Sequence, residues 1–190
     1  MSTATESPMI RLVIAVGSGC TIRVALTRWA TGVDNAAINP KERRSRMSEA
    51  NKSLVRRLIE EAVNKGNFKV LDEILSTDYV YREPTAGEKR GRAGYQEIVT
   101  MYRNAFPDIK LTIEEQIAEG DKVVTRTSGT GTHRGELFGT APSGKRVSGV
   151  SGIVVTRIAN GKVVEDNWVY DALGMLRQLG VVPAPVAKAA

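Results

Sequence analysis

Two side chains in this sequence could move a proton. Asp171 stands at the end of an alternating, strand-like run and directly before the amphipathic segment Leu173–Leu179. His133 is the chain's only histidine and ends another such run. An imidazole titrates near pH 6.5 when unperturbed, so it can shuttle protons near neutrality. An aspartate sunk in an apolar cavity is raised toward neutrality and can serve as acid and base. Each residue also has a structural reading. Aspartate is a favoured helix N-cap, and capping N–H groups lower its pKa, the reverse of what catalysis needs. A histidine at a strand end can fasten the loop that follows. Arg82 and Glu83 end a short strand, as an exposed pair or as the polar rim of a pocket. Tyr102 and Phe106, one helical turn apart, are core or cavity wall, and Trp168 reads as packing.

Other chemistries find little support. One histidine, one cysteine (Cys20) and no carboxylates at ligand spacing predict no metal site and no disulfide framework. Gly149-Val-Ser151-Gly152 falls inside a strand run and does not make a nucleophile elbow. The Gly/Pro-rich loop 134–144 lacks the lysine–serine ending of a phosphate cradle. The net charge of +6 is concentrated at the start: residues 1–46 carry seven basic and three acidic side chains, leaving the rest nearly neutral. No basic stripe with interleaved aromatics is present, so no nucleic-acid partner is expected.

These candidates need elements to carry them. The periodicity predicts helices over 51–65, 68–75 and 93–106, with a short strand over 78–82 stopped by Pro84. Strands follow over 110–119, 122–133, 146–158 and 162–170. Gly120-Asp121 and Asn160-Gly161 make the hairpin turns. Gly129 and Gly131 suggest a bulge where the sheet bends. A last helix covers 172–179 and stops at Gly180. Helices followed by a meander predict the α+β class: a curved antiparallel sheet forming a cone-like barrel, closed by three N-terminal helices and a short C-terminal one. Ligands favour such concavities.

The domain is expected over residues 47–182, with a tail over 183–190 and a flexible extension, or one owed to start-site choice, over 1–46. The apolar run Leu12–Val16 is too short for a secretory core or a membrane span. Secretion or lipoprotein processing through residues 9–20 is the minor alternative to a cytoplasmic protein that does not engage a membrane.

Several motifs, in order, resemble the SnoaL-like polyketide cyclase or ester cyclase family of the nuclear-transport-factor-two-like superfold. They are Ala105-Phe-Pro-Asp108, Glu119-Gly-Asp-Lys-Val123, Gly131-Thr-His-Arg-Gly135, Pro142-Ser-Gly-Lys-Arg-Val147, Arg157-Ile-Ala-Asn-Gly-Lys162 and Asp171-Ala-Leu-Gly-Met-Leu-Arg-Gln-Leu-Gly180. The resemblance implies a homodimer through the sheet, no cofactor and a small apolar, aromatic or polyketide-like ligand. It also implies ring closure by intramolecular aldol condensation of an ester, with Asp171 as acid–base catalyst, His133 nearby and the enolate stabilised by its own conjugation. Two positions depart from the family. Arg82 and Glu83 occupy the region of a histidine in a Tyr-Val-x-His-x-Pro pattern. Asn167 stands where a tryptophan is usual, with Trp168 one residue later on the opposite strand face. Arg82, Glu83, Tyr102, Phe106 and Asn167 are therefore the expected substrate-binding residues. Competing expectations are an isomerase, dehydratase or epoxide hydrolase on the same superfold, and a non-catalytic module that holds a small ligand.

Overall fold

The structure, a computed structural model, describes residues 39–183. The expectations for residues 9–20 and for most of the tail lie outside the described residues.

The first helix, α1 (Pro40–Arg57), starts before the expected domain boundary at residue 47 because Asn39 and Pro40 build a start signal. The Asn39 side chain accepts the Lys41 N–H at 3.0 Å, and proline occupies the first turn, where no N–H is needed. The basic residues Lys41–Arg46 lie on the exposed first turns of this helix. Val55, Leu58, Ile59, Ala62 and Val63 form its buried face. Past Arg57 the helix widens into a π-helical run, Leu58–Asn64. Its end is fastened from two sides. The Arg103 guanidinium donates to the carbonyls of Val63 (2.8 Å) and Asn64 (2.9 Å). The Asn64 amide exchanges two hydrogen bonds with the backbone of Leu111.

The expected helix over 68–75 is a 3₁₀ turn (Phe68–Val70) and a single turn, α2 (Leu71–Ile74). Leu75 already belongs to β1 (Leu75–Glu83), in which Tyr79, Tyr81 and Glu83 alternate inward. A hairpin leads to β2 (Gly87–Arg90), whose polar run gave no strand signal. Then come α3 (Gly91–Ala105), β3 (Lys110–Glu119), β4 (Lys122–Thr132), β5 (Arg146–Ala159), β6 (Lys162–Tyr170) and α4 (Ala172–Leu179). Asn160 and Gly161 have φ of 51° and 72°, the positive pair of a type I′ turn. The β4–β5 register shifts between Gly129 and Gly131.

The fold is α+β, with a curved six-stranded sheet in the order β2-β1-β6-β5-β4-β3. Two points differ from the expected antiparallel cone. The sheet stays open, with β2 and β3 at its edges, and β1 runs parallel to β6, its Arg82 opposite Asn167. The long connection between them, through β2, α3 and β3 to β5, allows that parallel pairing, which a tight turn could not. The main apolar core joins α1, the π-helical run, β1 and α3. A second cluster, including Phe106, Leu137, Val147, Met175 and Leu179, packs beneath α4.

Candidate active-site cavity

A cavity of about 120 Å³ lies between α3 and the inner face of the sheet. Its wall is almost wholly apolar: Val99 and Ile98 of α3, Leu111 of β3, Val147 and Val150 of β5, Trp168 of β6 and Met175 of α4. Ile109, Thr130, Val150 and Tyr170 line it and are themselves partly exposed, so the cavity reaches the surface on that side. Four of the chain's five tyrosines, Tyr81, Tyr95, Tyr102 and Tyr170, face it.

Glu83 is the one carboxylate among the described residues lining the cavity, and it is only 4% exposed. Three hydroxyls satisfy it. Tyr81 and Tyr102 donate to Oε2 at 2.8 and 2.9 Å, and Thr85 donates to Oε1. The Tyr170 hydroxyl completes the cluster, 3.2 Å from that of Tyr102 and 3.3 Å from that of Thr85. Burial pushes the Tyr81 and Tyr102 phenols far above their ordinary pKa, with the negative charge of Glu83 adding to it, and burial also raises Tyr170. All three remain neutral hydrogen-bond donors at physiological pH.

A second buried carboxylate lies apart from this wall. Asp166 is 2% exposed and accepts the hydroxyls of Tyr79 (2.8 Å) and Thr156 (2.5 Å). Burial raises its pKa to about 6 despite those two bonds.

Of the expected binding residues, Glu83, Tyr102 and Phe106 line the cavity, and Arg82 and Asn167 do not. Strand alternation is the reason. Arg82 and Asn167 are partners across β1 and β6, each one residue out of phase with the inward positions. On the outer face Arg82 pairs with Glu88 (2.9 Å) and Glu165, and the Asn167 amide donates to Glu165 at 3.2 Å. Trp168, read from sequence as packing, takes the inward position beside the cavity.

Neither expected catalyst lies on the cavity wall. Asp171 is exposed and caps α4, its Oδ1 accepting the Gly174 N–H at 2.8 Å. It follows the last cavity residue of β6, Tyr170, and its backbone N–H still donates to the Ser151 carbonyl of β5 at 2.9 Å. His133 is completely buried, with its ring 5.3 Å from that of Phe106. Its Nδ1 accepts the Ser143 N–H at 3.1 Å, which places the proton of the neutral ring on Nε2. Nε2 has no hydrogen-bond partner among the described residues. Backbone bonds from His133 to Gly144 and Lys145 close the same loop, so the residue fastens segment 134–145.

The comparisons with known proteins agree with this architecture. The SnoaL-like polyketide cyclase family model matches residues 53–179. The chain belongs to the SnoaL-like polyketide cyclase family. A protein of Jannaschia sp. CCS1 named as a SnoaL-like polyketide cyclase is 25% identical, with a TM-score of 0.68 over 74% of this chain and 98% of its own. IdmH of Streptomyces antibioticus, named as a polyketide cyclase, is 30% identical, with a TM-score of 0.61 over 68% and 98%. A Catenulispora acidiphila protein of ketosteroid isomerase-like fold shares the fold at 18% identity, with a TM-score of 0.57 over 67% and 92%. No curated protein matches the chain. Within the SnoaL-like family frame, the residues missed from sequence were Tyr81, Thr85 and Tyr170. For the two tyrosines the available signal was the two-residue spacing Tyr81-x-Glu83 and Trp168-x-Tyr170, which puts each pair on one strand face; Thr85, beyond the end of β1, carried none.

Proposed function

We propose that this SnoaL-like protein is a cofactor-independent enzyme that moves a proton at the carbon next to a carbonyl. In its sharpest form it closes a ring in a polyketide-like ester by intramolecular aldol addition. The observation that supports this most is the cavity itself: an apolar wall with one buried carboxylate surrounded by neutral hydroxyls. Such a wall takes up an apolar ligand, and the polar cluster gives it one fixed orientation. A pocket of about 150 Å³ holds a benzene ring. At about 120 Å³, this one suits the reacting ring of a substrate whose remainder extends through the mouth.

The exposed, capping position of Asp171 favours a second reading, a module that binds a small apolar ligand without transforming it. Purified protein and 2-tetralone in deuterated buffer separate the two. Proton transfer predicts deuterium entering C1 of 2-tetralone faster than in buffer alone. Thermal stabilisation by 2-tetralone with no added exchange would refute catalysis and leave binding.

The outer face of the sheet carries Ile117, Val124, Ile153 and Val169, all exposed. This apolar patch supports a homodimer through the sheet. Sedimentation velocity should show a dimer that dissociates in Ile153→Asp. A monomeric wild-type protein at micromolar concentration would exclude it.

A further inference from the structure

Two turns of the chain share one backbone shape and differ in what occupies it. Asn160 and Gly161 have φ of 51° and 72°, and Phe138 and Gly139 have φ of 49° and 76°. At the second turn the backbones of Leu137 and Thr140 exchange two hydrogen bonds, at 3.0 and 2.9 Å, so the loop narrows to a two-residue tip. The first central position of such a turn favours asparagine, aspartate or glycine. A bulky side chain is an outlier there, because its Cβ crowds the backbone in the left-handed region. Phe138 gains little burial in return, since it is 45% exposed. A strained residue with no fold-level gain points to a role outside the fold.

The surrounding loop holds this ring still and places it. The Arg134 and Gly135 N–H groups both donate to the Ala105 carbonyl at the end of α3, at 2.9 and 3.1 Å. Gly135 passes so close to the helix that a Cβ would lie 2.2 Å from the Asn104 carbonyl oxygen. Leu137 is 1% exposed and belongs to the apolar cluster beneath α4. Ile109, Val150 and Tyr170, the partly exposed residues where the cavity opens, pack against that same cluster. From Phe138 the aromatic rings continue inward. Phe138 stands edge-on to Tyr102 with centroids 6.2 Å apart, and Tyr102 stands edge-on to Tyr170 at 6.3 Å. Both tyrosines line the cavity. Phe138 is thus the exposed outer end of a row of rings that leads into the site.

We propose that Phe138 is a specificity-determining residue, whose ring meets the part of a ligand that extends from the cavity and favours one that is flat and aromatic there. The assignment rests on the cavity as the site of an apolar ring, and it does not depend on proton transfer. About 120 Å³ suits a single ring, so the remainder of a larger ligand lies at the mouth. Aromatic rings pair edge-on or offset with centroids about 4.5–7 Å apart. Phe138 already makes one such pair and keeps nearly half of its surface free for another. A ring fixed in advance loses little freedom on binding, and a pinned turn supplies that.

The test compares three ketones by ligand-observed NMR titration of the full chain. Cyclohexanone has only the ring that the cavity encloses. The second ring of 2-tetralone is aromatic, and that of trans-2-decalone is saturated and puckered. Wild type should bind 2-tetralone about fivefold more tightly than trans-2-decalone. Phe138→Asn, which restores the residue found at the sister turn, should abolish that preference and leave cyclohexanone within about twofold. It should melt no lower than wild type, because the strain is relieved. Phe138→Tyr should keep the preference, since the ring remains. An unchanged preference in Phe138→Asn would overturn the assignment and leave the cavity reading standing. Equal weakening of all three ketones, or a variant that melts below wild type, would also overturn it and make Phe138 a packing residue. Failure of wild type to bind any of the three would remove the cavity reading and this assignment with it.

Discussion

The inner and outer faces of β1 and β6 solve the same problem, a glutamate on a strand, in opposite ways. Inside, Glu83 is held by neutral hydroxyls from Tyr81, Tyr102 and Thr85. Outside, Glu165 is held by Arg82, Arg157 and the Asn167 amide, and those hydrogen bonds and charges lower its pKa. Water is at hand on the outer face, so cations cost little to place there. On the inner face a guanidinium would need desolvation and would pin the carboxylate as a salt. Hydroxyls fix the inner carboxylate in place without neutralising it. One residue of phase on a strand therefore decides whether an acid becomes part of a surface ion network or part of a cavity.

Adjacent substitutions on β6 test the contrast most strongly. Trp168→Ala should cost about 3 kcal/mol in denaturant melts and enlarge the cavity. Its neighbour Asn167→Ala should stay within about 0.5 kcal/mol. Equal effects would mean that the two faces do not differ as described.

The buried Asp166 gives the next largest effect. Burial raises its pKa to about 6 in the fold from the ordinary aspartate value of 3.8. Between these values the folded state binds the proton that the unfolded state releases. Stability from this group is therefore complete below about pH 4 and is lost as pH rises through 6, by about 3 kcal/mol in all. The difference between wild type and Asp166→Asn in melts from pH 4 to 7.5 isolates that slope from the other carboxylates. A difference that does not change with pH would refute it.

His133→Ala should cost about 2 kcal/mol and speed proteolysis within 134–145, because it removes the acceptor of the Ser143 N–H and empties the place of a fully buried ring. Smallest of all, Arg82→Ala should change stability by under about 1 kcal/mol, with any loss shrinking in salt. A larger, salt-independent loss would place Arg82 in the core of the fold.

Much of this arrangement is legible in the amino-acid order. The strands from β3 to β6, the Asn160-Gly161 turn, the bulge glycines and the α4 cap follow from local periodicity and turn chemistry, which act over a few residues. Even the opposed faces of Asn167 and Trp168 follow from alternation. Which of the two faces inward does not, because that depends on the parallel register of β1 with β6 across 85 residues. β2 escaped for another reason: Gly87-Glu-Lys-Arg90 has no apolar residue to alternate. The widened end of the first helix depends on Arg103 and Leu111, both distant in sequence. The resemblance points to Asp171 through its place in a motif, while the hydroxyl cluster around Glu83 exists only in three dimensions.

The parallel pairing of β1 with β6 also sets a timetable for the chain as it leaves the ribosome. Thr85 and Tyr170 are separated by 85 residues. At roughly 5–20 residues per second, β1 waits on the order of 4–17 seconds before its inner neighbour is made. During that interval the inner edge of β1 stays unpaired, the circumstance in which a nascent strand recruits the wrong partner. Chaperone demand should therefore fall once β6 has been made, and the cavity should be complete only when α4 brings Met175 to its wall.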